Sequence, residues 1–281
     1  MALRNVIGVD HVVVTVRDLD AAAAAWRALG FTISPRGTHS PHMGSANHTI
    51  MFGEDYMELL GVLVPTEHNA PMREWLTKRE GLERAAFTAL DAAAGTMELR
   101  ERGIDAPDMV AFSRPVKLPN GGASEARFNV MRWPAALRPG GLRIFACQHL
   151  TRGTVWIPEL QHHANGAACI LRIEMLCAEP NRAAAEMAGL LDQPVTTDAD
   201  GACVVQTGAG RANLVFLDRA TLAARHPGVS LEGLPAEGAA ALVLGTRDYP
   251  AAARALGVSV DGAVAVPASR ATGVLLRFLA V

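Results

Sequence analysis

Apolar and polar positions follow one order along this chain, and that order recurs four times. In VIGVDHVVVTVRDLDAAAAAWRALGF, residues 6–31, Val12, Val14 and Val16 alternate with Val13, Thr15 and Arg17. A β-branched run of period two predicts a strand. Asp18 stops the strand and is placed to cap a helix, the stretch from Asp20 to Leu29 is alanine-rich and helical, and Gly30 ends it. Weaker copies are TALDAAAGTMELRERGI at 88–104, LCAEPNRAAAEMAGLLDQPV at 176–195 and GTRDYPAAARALGV at 245–258, each preceded by a short apolar or alternating run. Every copy couples a strand to an acidic turn residue, Asp18, Asp91, Glu179 or Asp248, and then to an alanine-rich helix. Short β runs separated by turn residues come next, as in NHTIMFGEDYMELLGV and ACVVQTGAGRANLVFLD. The predicted unit is βαβββ.

One such unit has a single sheet and a single helix and cannot cover both sheet faces, so the units are expected to pair around concave sheets. The predicted fold class is α+β, with four modules paired into two domains that each hold a concave mixed sheet. Residues 1–150 form the first pair, 151–166 a connector rich in polar residues, and 167–281 the second pair. A further connector, PTEHNAPMREWLTKREGLE at 65–83, carries a short helix around Met72 to Thr77 and joins the first two units.

Composition narrows the function. A chain of 281 residues that is 50% hydrophobic can build two sizeable cores. Lys+Arg 26 against Asp+Glu 28, a formal charge of -2, leaves no basic field for a phosphate backbone, so nucleic acid is not an expected partner. Cys147, Cys169, Cys177 and Cys203 have neither a CxxC pair nor ligand spacing and read as buried, reduced thiols. No apolar run approaches the roughly 18 residues of a membrane span, and MALRNVIGVDH lacks the pattern of a signal peptide. The expected compartment is the cytoplasm, with no membrane partner.

Chemistry concentrates in the first half. His11 stands at the start of the first strand, where an imidazole faces either a neighbouring sheet or a cavity. THSPHMGSANHTIMF carries His39, His42, His48 and Asn47, read either as a loop over the mouth of a site, with His39, His48 and Asn47 touching substrate, or as a polar hairpin. VQTGAGRANL contains a GxG that lies between strands and opens no helix, which excludes a dinucleotide fingerprint. A GxSxG elbow and a GxxxxGK[ST] loop are both absent.

VDHVVVTVRDLDAAAAAWRALGF, NHTIMFGEDYMELLG, and FACQH with the later QHHANGA resemble the vicinal oxygen chelate superfamily, which includes glyoxalase I, extradiol dioxygenases and the bleomycin-resistance proteins. The resemblance implies two vicinal-oxygen-chelate-type domains with U-shaped sheets. It also implies one divalent metal ion, Zn, Fe, Ni or Mn, ligated from the first and last strands of the units. His11 and Glu58 match ligand positions. In the second unit Arg84 stands where His11 stood, and a guanidinium cannot ligate a cation. The counterpart of Glu58 falls near Cys147 or Gln148, and His149, on the face of Cys147, is the third candidate ligand. In the second half the same positions fall at about Arg172 and Arg277, so no metal is expected there. The implied function is a metal-dependent lyase, isomerase or dioxygenase acting on a small molecule with vicinal oxygens. Glu58 serves as ligand or base, and Arg84 neutralises an anionic substrate group. The alternative is a metal-free binding protein of the bleomycin-resistance type. The apolar end GVLLRFLAV leaves a structural or homodimer role open for the second half.

Overall fold

The computed structural model describes residues 2–118 and 121–281. Its first unit is β1 (Val6–Val16), α1 (Leu19–Ala28), β2 (Gly37–Thr38), β3 (Ser45–Met51) and β4 (Tyr56–Val62), and helix α2 (Ala70–Lys78) leads onward. The second is β5 (Gly81–Ala89), α3 (Ala92–Glu101), β6 (Val110–Lys117), β7 (Ala123–Arg132) and β8 (Arg143–His149). The third is β9 (Ala167–Leu176), α4 (Pro180–Leu191), β10 (Val195–Thr197), β11 (Cys203–Val205) and β12 (Asn213–Leu217), with α5 (Arg219–Arg225) after it. The fourth, β13 (Gly238–Thr246), α6 (Tyr249–Leu256), β14 (Ala265–Val266) and β15 (Leu275–Ala280), is one strand short of the predicted unit.

The acidic turn residues explain where the helices begin. Asp18 accepts the Ala21 N–H, Asp91 those of Ala93 and Ala94, and Asp248 that of Ala251, all at 2.8 to 3.0 Å. Glu179 caps α4 without such a bond, and Pro180 presets the first turn instead.

The strands form two mixed sheets, ordered β2-β3-β4-β1-β5-β8-β7-β6 and β10-β11-β12-β9-β13-β15-β14. The predicted α+β class with two such sheets is what the chain adopts. In each sheet the first strands of two units run antiparallel at the centre, β1 with β5 and β9 with β13, and each lies parallel to the last strand of its own unit. At every one of these central strands the register slips by one residue, an extra residue falling at Asp10, Glu83, Leu171 and Ala240. A bulge of this kind turns two consecutive side chains toward one face, where regular pleating would send them to opposite faces.

One apolar core runs through both halves, from Trp26 and Phe87 to Phe216 and Phe278. The halves also touch through backbone. A Cβ on Gly81 would press on the carbonyl oxygen of Gly273, and one on Gly273 on that of Glu80. The apolar residues of the last segment, Leu275, Leu276 and Phe278, are buried inside the second sheet. All four cysteines are free; three are buried as expected, and Cys169 is only half-buried. Among the described residues no helix is long and apolar enough to cross a membrane.

Candidate active site

Pleating decides which side chains line the concave face of the first sheet. His11, Val13 and Thr15 on β1 pair with Tyr56, Glu58 and Leu60 on β4, and β5 continues the rows with Ala86 and Arg84. On β8, Arg143 and Phe145 complete those rows, and Cys147 and His149 lie further along the same face. One end of this cup is closed by Met72 and Leu76 of α2 against Val13 and Leu60. The other end is filled by Tyr56, Phe128, Val130 and Trp156.

The bulge at Asp10 brings an acid into the cup beside His11. Asp10 Oδ1 lies 2.7 Å from His11 Nδ1 and 3.0 Å from His149 Nε2, and Oδ2 accepts the Thr88 hydroxyl at 2.9 Å. Burial pushes the Asp10 carboxyl up, but the hydrogen bonds to His11 and His149 outweigh it and hold the group well below the usual carboxylate range. The His11 ring stacks on Tyr56, with centroids 4.2 Å apart, and the His149 ring stands edge-on to Trp156 at 4.9 Å. Both imidazoles are thus fixed by packing and aimed at one oxygen.

Glu58 lies on the other side of the His11 ring, its Oε2 3.8 Å from His11 Nε2, and its Oε1 accepts the Asn47 amide at 2.6 Å. Burial and the nearby Asp10 and Glu58 charges push the Tyr56 phenol upward, so it stays neutral. Burial likewise raises the Cys147 thiol, which is therefore no thiolate nucleophile. In the second unit the bulge pair is Glu83 and Arg84. Glu83 is bound by Arg84 and by Arg143 Nη1 at 3.0 Å, so a part-buried ion pair stands where the first unit has Asp10 and His11.

Among the described residues, Asp10, His11 and His149 are the one group of three ligand-type side chains that offers donor atoms within 4.8 Å of one another. Two imidazoles and a carboxylate suit Zn²⁺, Fe²⁺, Ni²⁺ or Mn²⁺. His149 turns Nε2 toward Asp10, and its other ring nitrogen, Nδ1, is buried with no hydrogen-bond partner among the described residues. The residues present therefore fit a divalent ion.

Residues 9–191 match the family of the glyoxalase-like domain. The chain belongs to that family. This glyoxalase-like protein has no significant sequence match among curated proteins. In overall structure it is similar to a hypothetical protein from Staphylococcus aureus, with a TM-score of 0.70 and 11% identity over 97% of this chain and 99% of that one. It is also similar to a mutant of 4-hydroxymandelate synthase from Streptomyces coelicolor, with a TM-score of 0.57 and 12% identity over 98% and 93%. At these identities the likeness is one of fold, and the fold is that of the vicinal oxygen chelate superfamily.

Of the residues singled out in the sequence of this glyoxalase-like protein, His11, Glu58, Asn47 and Arg84 line the cup, and His149 reaches it through Asp10. His39 sits at the rim, where Nδ1 meets Ser45 Oγ at 2.8 Å and burial lowers its pKa. His48 is not in the cup. It neighbours Asn47 on β3 and so points to the opposite face, where Nδ1 meets the Ser34 carbonyl at 2.7 Å. Register also corrects the counterpart of Glu58 in the second unit, which is Phe145 and not a residue near Cys147. Asp10 was missed because period-two reading sends it to the far face. The signal available was an acid directly before both His11 and Arg84.

Proposed function

We propose that this glyoxalase-like protein is a divalent-metal-dependent enzyme acting on a small molecule with two adjacent oxygens. Its site lies in the cup of the first half. The observation that carries the reading is the convergence of Asp10, His11 and His149, all nearly sealed from solvent, on one point. These three hold the ion in this reading. When bound, it supplies Lewis acidity to the substrate oxygens and stabilises charge that develops on them.

The remaining steps belong to the chain's own groups. Glu58, fixed by Asn47 and outside the ligand set, is the carboxylate positioned to move a proton on the substrate. Tyr56, kept neutral, is a hydrogen-bond donor beside it. Arg84, shared with Glu83, balances negative charge in the cup. This division favours proton-transfer chemistry, an isomerisation or a lyase step, over oxygenation.

The test is Glu58→Gln. The variant is expected to retain wild-type metal content while losing solvent-proton exchange into bound 2-hydroxyketones. Loss of the metal would make Glu58 a ligand and would overturn the assignment of roles. A second reading, a metal-free binding protein, rests on Arg84 and Phe145 standing at two of the family's four ligand positions. Protein purified without chelator and free of metal would favour it.

A further inference from the structure

A cleft of about 360 Å³ opens at the end of the first sheet, where the two halves meet, and Asp10 and His149 form part of its lining. Its charged wall comes from three distant places in the chain: Glu54 from the β3–β4 turn, Arg152 from the connector, and Arg211 from the loop before β12. That loop is the GxG stretch of VQTGAGRANL, and its glycine serves close approach. A Cβ on Gly208 would collide with the carbonyl oxygen of Ile7. The loop therefore lies directly on β1 and lays Arg211 along it, with Nη1 donating to the carbonyl oxygens of Glu54 at 2.6 Å and Val9 at 3.4 Å.

Glu54 Oε2 lies 3.0 Å from Arg152 Nη2 and 3.7 Å from Arg211 Nη2, so two guanidinium groups share one carboxylate. Glu54 is 70% exposed and Arg211 only 13%, which leaves the acid free to swing away while the cation stays fixed. Arg152 is braced over the Trp156 ring, 4.0 Å from its centroid. Leu90 and Leu150, both largely exposed, give the cleft an apolar lip.

We propose that this cleft admits the substrate and that the substrate is a small-molecule carboxylate. Its carboxylate replaces that of Glu54 between Arg152 and Arg211, where charge-assisted, fork-shaped hydrogen bonding suits it. Its apolar body lies against Leu90 and Leu150, and its far end reaches Asp10 and His149. Only this last part rests on the metal-site reading above. The second half of the molecule then contributes Arg211 to recognition.

The test uses butyrate and its neutral isostere butyramide on full-length protein treated with chelator, with affinity read by NMR titration. Butyrate is expected to bind and butyramide not. Arg152→Gln should weaken butyrate about tenfold or more, the loss typical of a charge-assisted pair, and Glu54→Gln should tighten it several-fold by removing the competitor. Equal binding of the amide, unchanged butyrate affinity in both variants, or no butyrate binding at all would each overturn the proposal. Because no metal is present in the assay, failure of the metal-site reading leaves these outcomes unaffected.

Discussion

The two cups of this molecule have the same strand order at their centres and the same bulges, yet hold opposite things. In the first, the bulge pairs are Asp10 with His11 and Glu83 with Arg84, and a polar lining of Glu58 and Asn47 remains inside. In the second they are Leu171 with Arg172 and Ala240 with Ala241. There α5 and the segment after it fill the interior with Leu222 and Leu234. An acid in that cup, Glu174, is sealed and fully neutralised: Arg172 Nε lies 2.6 Å from Oε1 and His226 Nε2 lies 2.6 Å from Oε2. Burial raises the Glu174 carboxyl, but its partners, His226 first, bring it below the ordinary value. The bulge is thus a scaffold that presents two side chains to a cup. Whether chemistry results depends on which two, and on whether the connector after the unit's last strand occupies the space.

The comparison breaks most severely if the second half is dispensable. Deleting residues 167–281 uncovers the core shared by Trp26, Phe31 and Phe278, and the loss is expected to exceed the whole stability of the first half. Circular dichroism and size-exclusion chromatography should show aggregated, non-cooperative material. A soluble fragment with a sharp unfolding transition would mean the halves are independent.

A smaller effect separates a structural ion network from a site. Glu174→Ala leaves half-buried Arg172 and buried His226 without their anion and should cost about 3–5 kcal/mol in urea unfolding. Metal content should not change, because among the described residues the second cup offers no group of three ligand-type side chains. A cost under about 1 kcal/mol would show that the filled cup does not depend on the network.

The smallest expected effect lies at the seam between the halves. Asp55, 3% exposed, accepts the Ile170 N–H with both carboxylate oxygens, at 3.0 and 3.2 Å, and burial pushes its pKa up from 3.8 to about 7. Below pH 3.8 both folded and unfolded chains hold this proton. Between 3.8 and about 7 the unfolded chain releases it and the folded chain retains it, so this group's contribution falls as pH rises through that window. Asp55→Asn should remove that slope, gaining on the order of 2 kcal/mol relative to wild type near neutral pH. Parallel Tm profiles of the two proteins from pH 4 to pH 8 would contradict it.

The repeat was legible because its signals are local. An acid that caps a helix and an alanine-rich turn with a glycine stop need no tertiary information, and three of the four acids cap as read. His11 and Glu58 were legible through strand parity and the family resemblance. Asp10 was not, since a bulge breaks parity and is set by pairing between strands far apart in sequence. His149 was reached through a register two residues off, and a shift of two residues keeps it on the same face. His48 shows the reverse: adjacent to Asn47 on one strand, it could not share the cup, and parity alone was enough to exclude it. Arg211 required the fold, because a glycine loop in the third unit meets β1 only after the halves pack.

The contrast between the cups is tested most directly by metal content, measured by inductively coupled plasma mass spectrometry on protein purified without chelator. The wild type should carry about one transition-metal ion per chain, His11→Ala should lose it, and His226→Ala should keep it, provided both variants retain the wild-type circular dichroism spectrum. A folded wild type without metal, or equal metal in His11→Ala, would contradict the account.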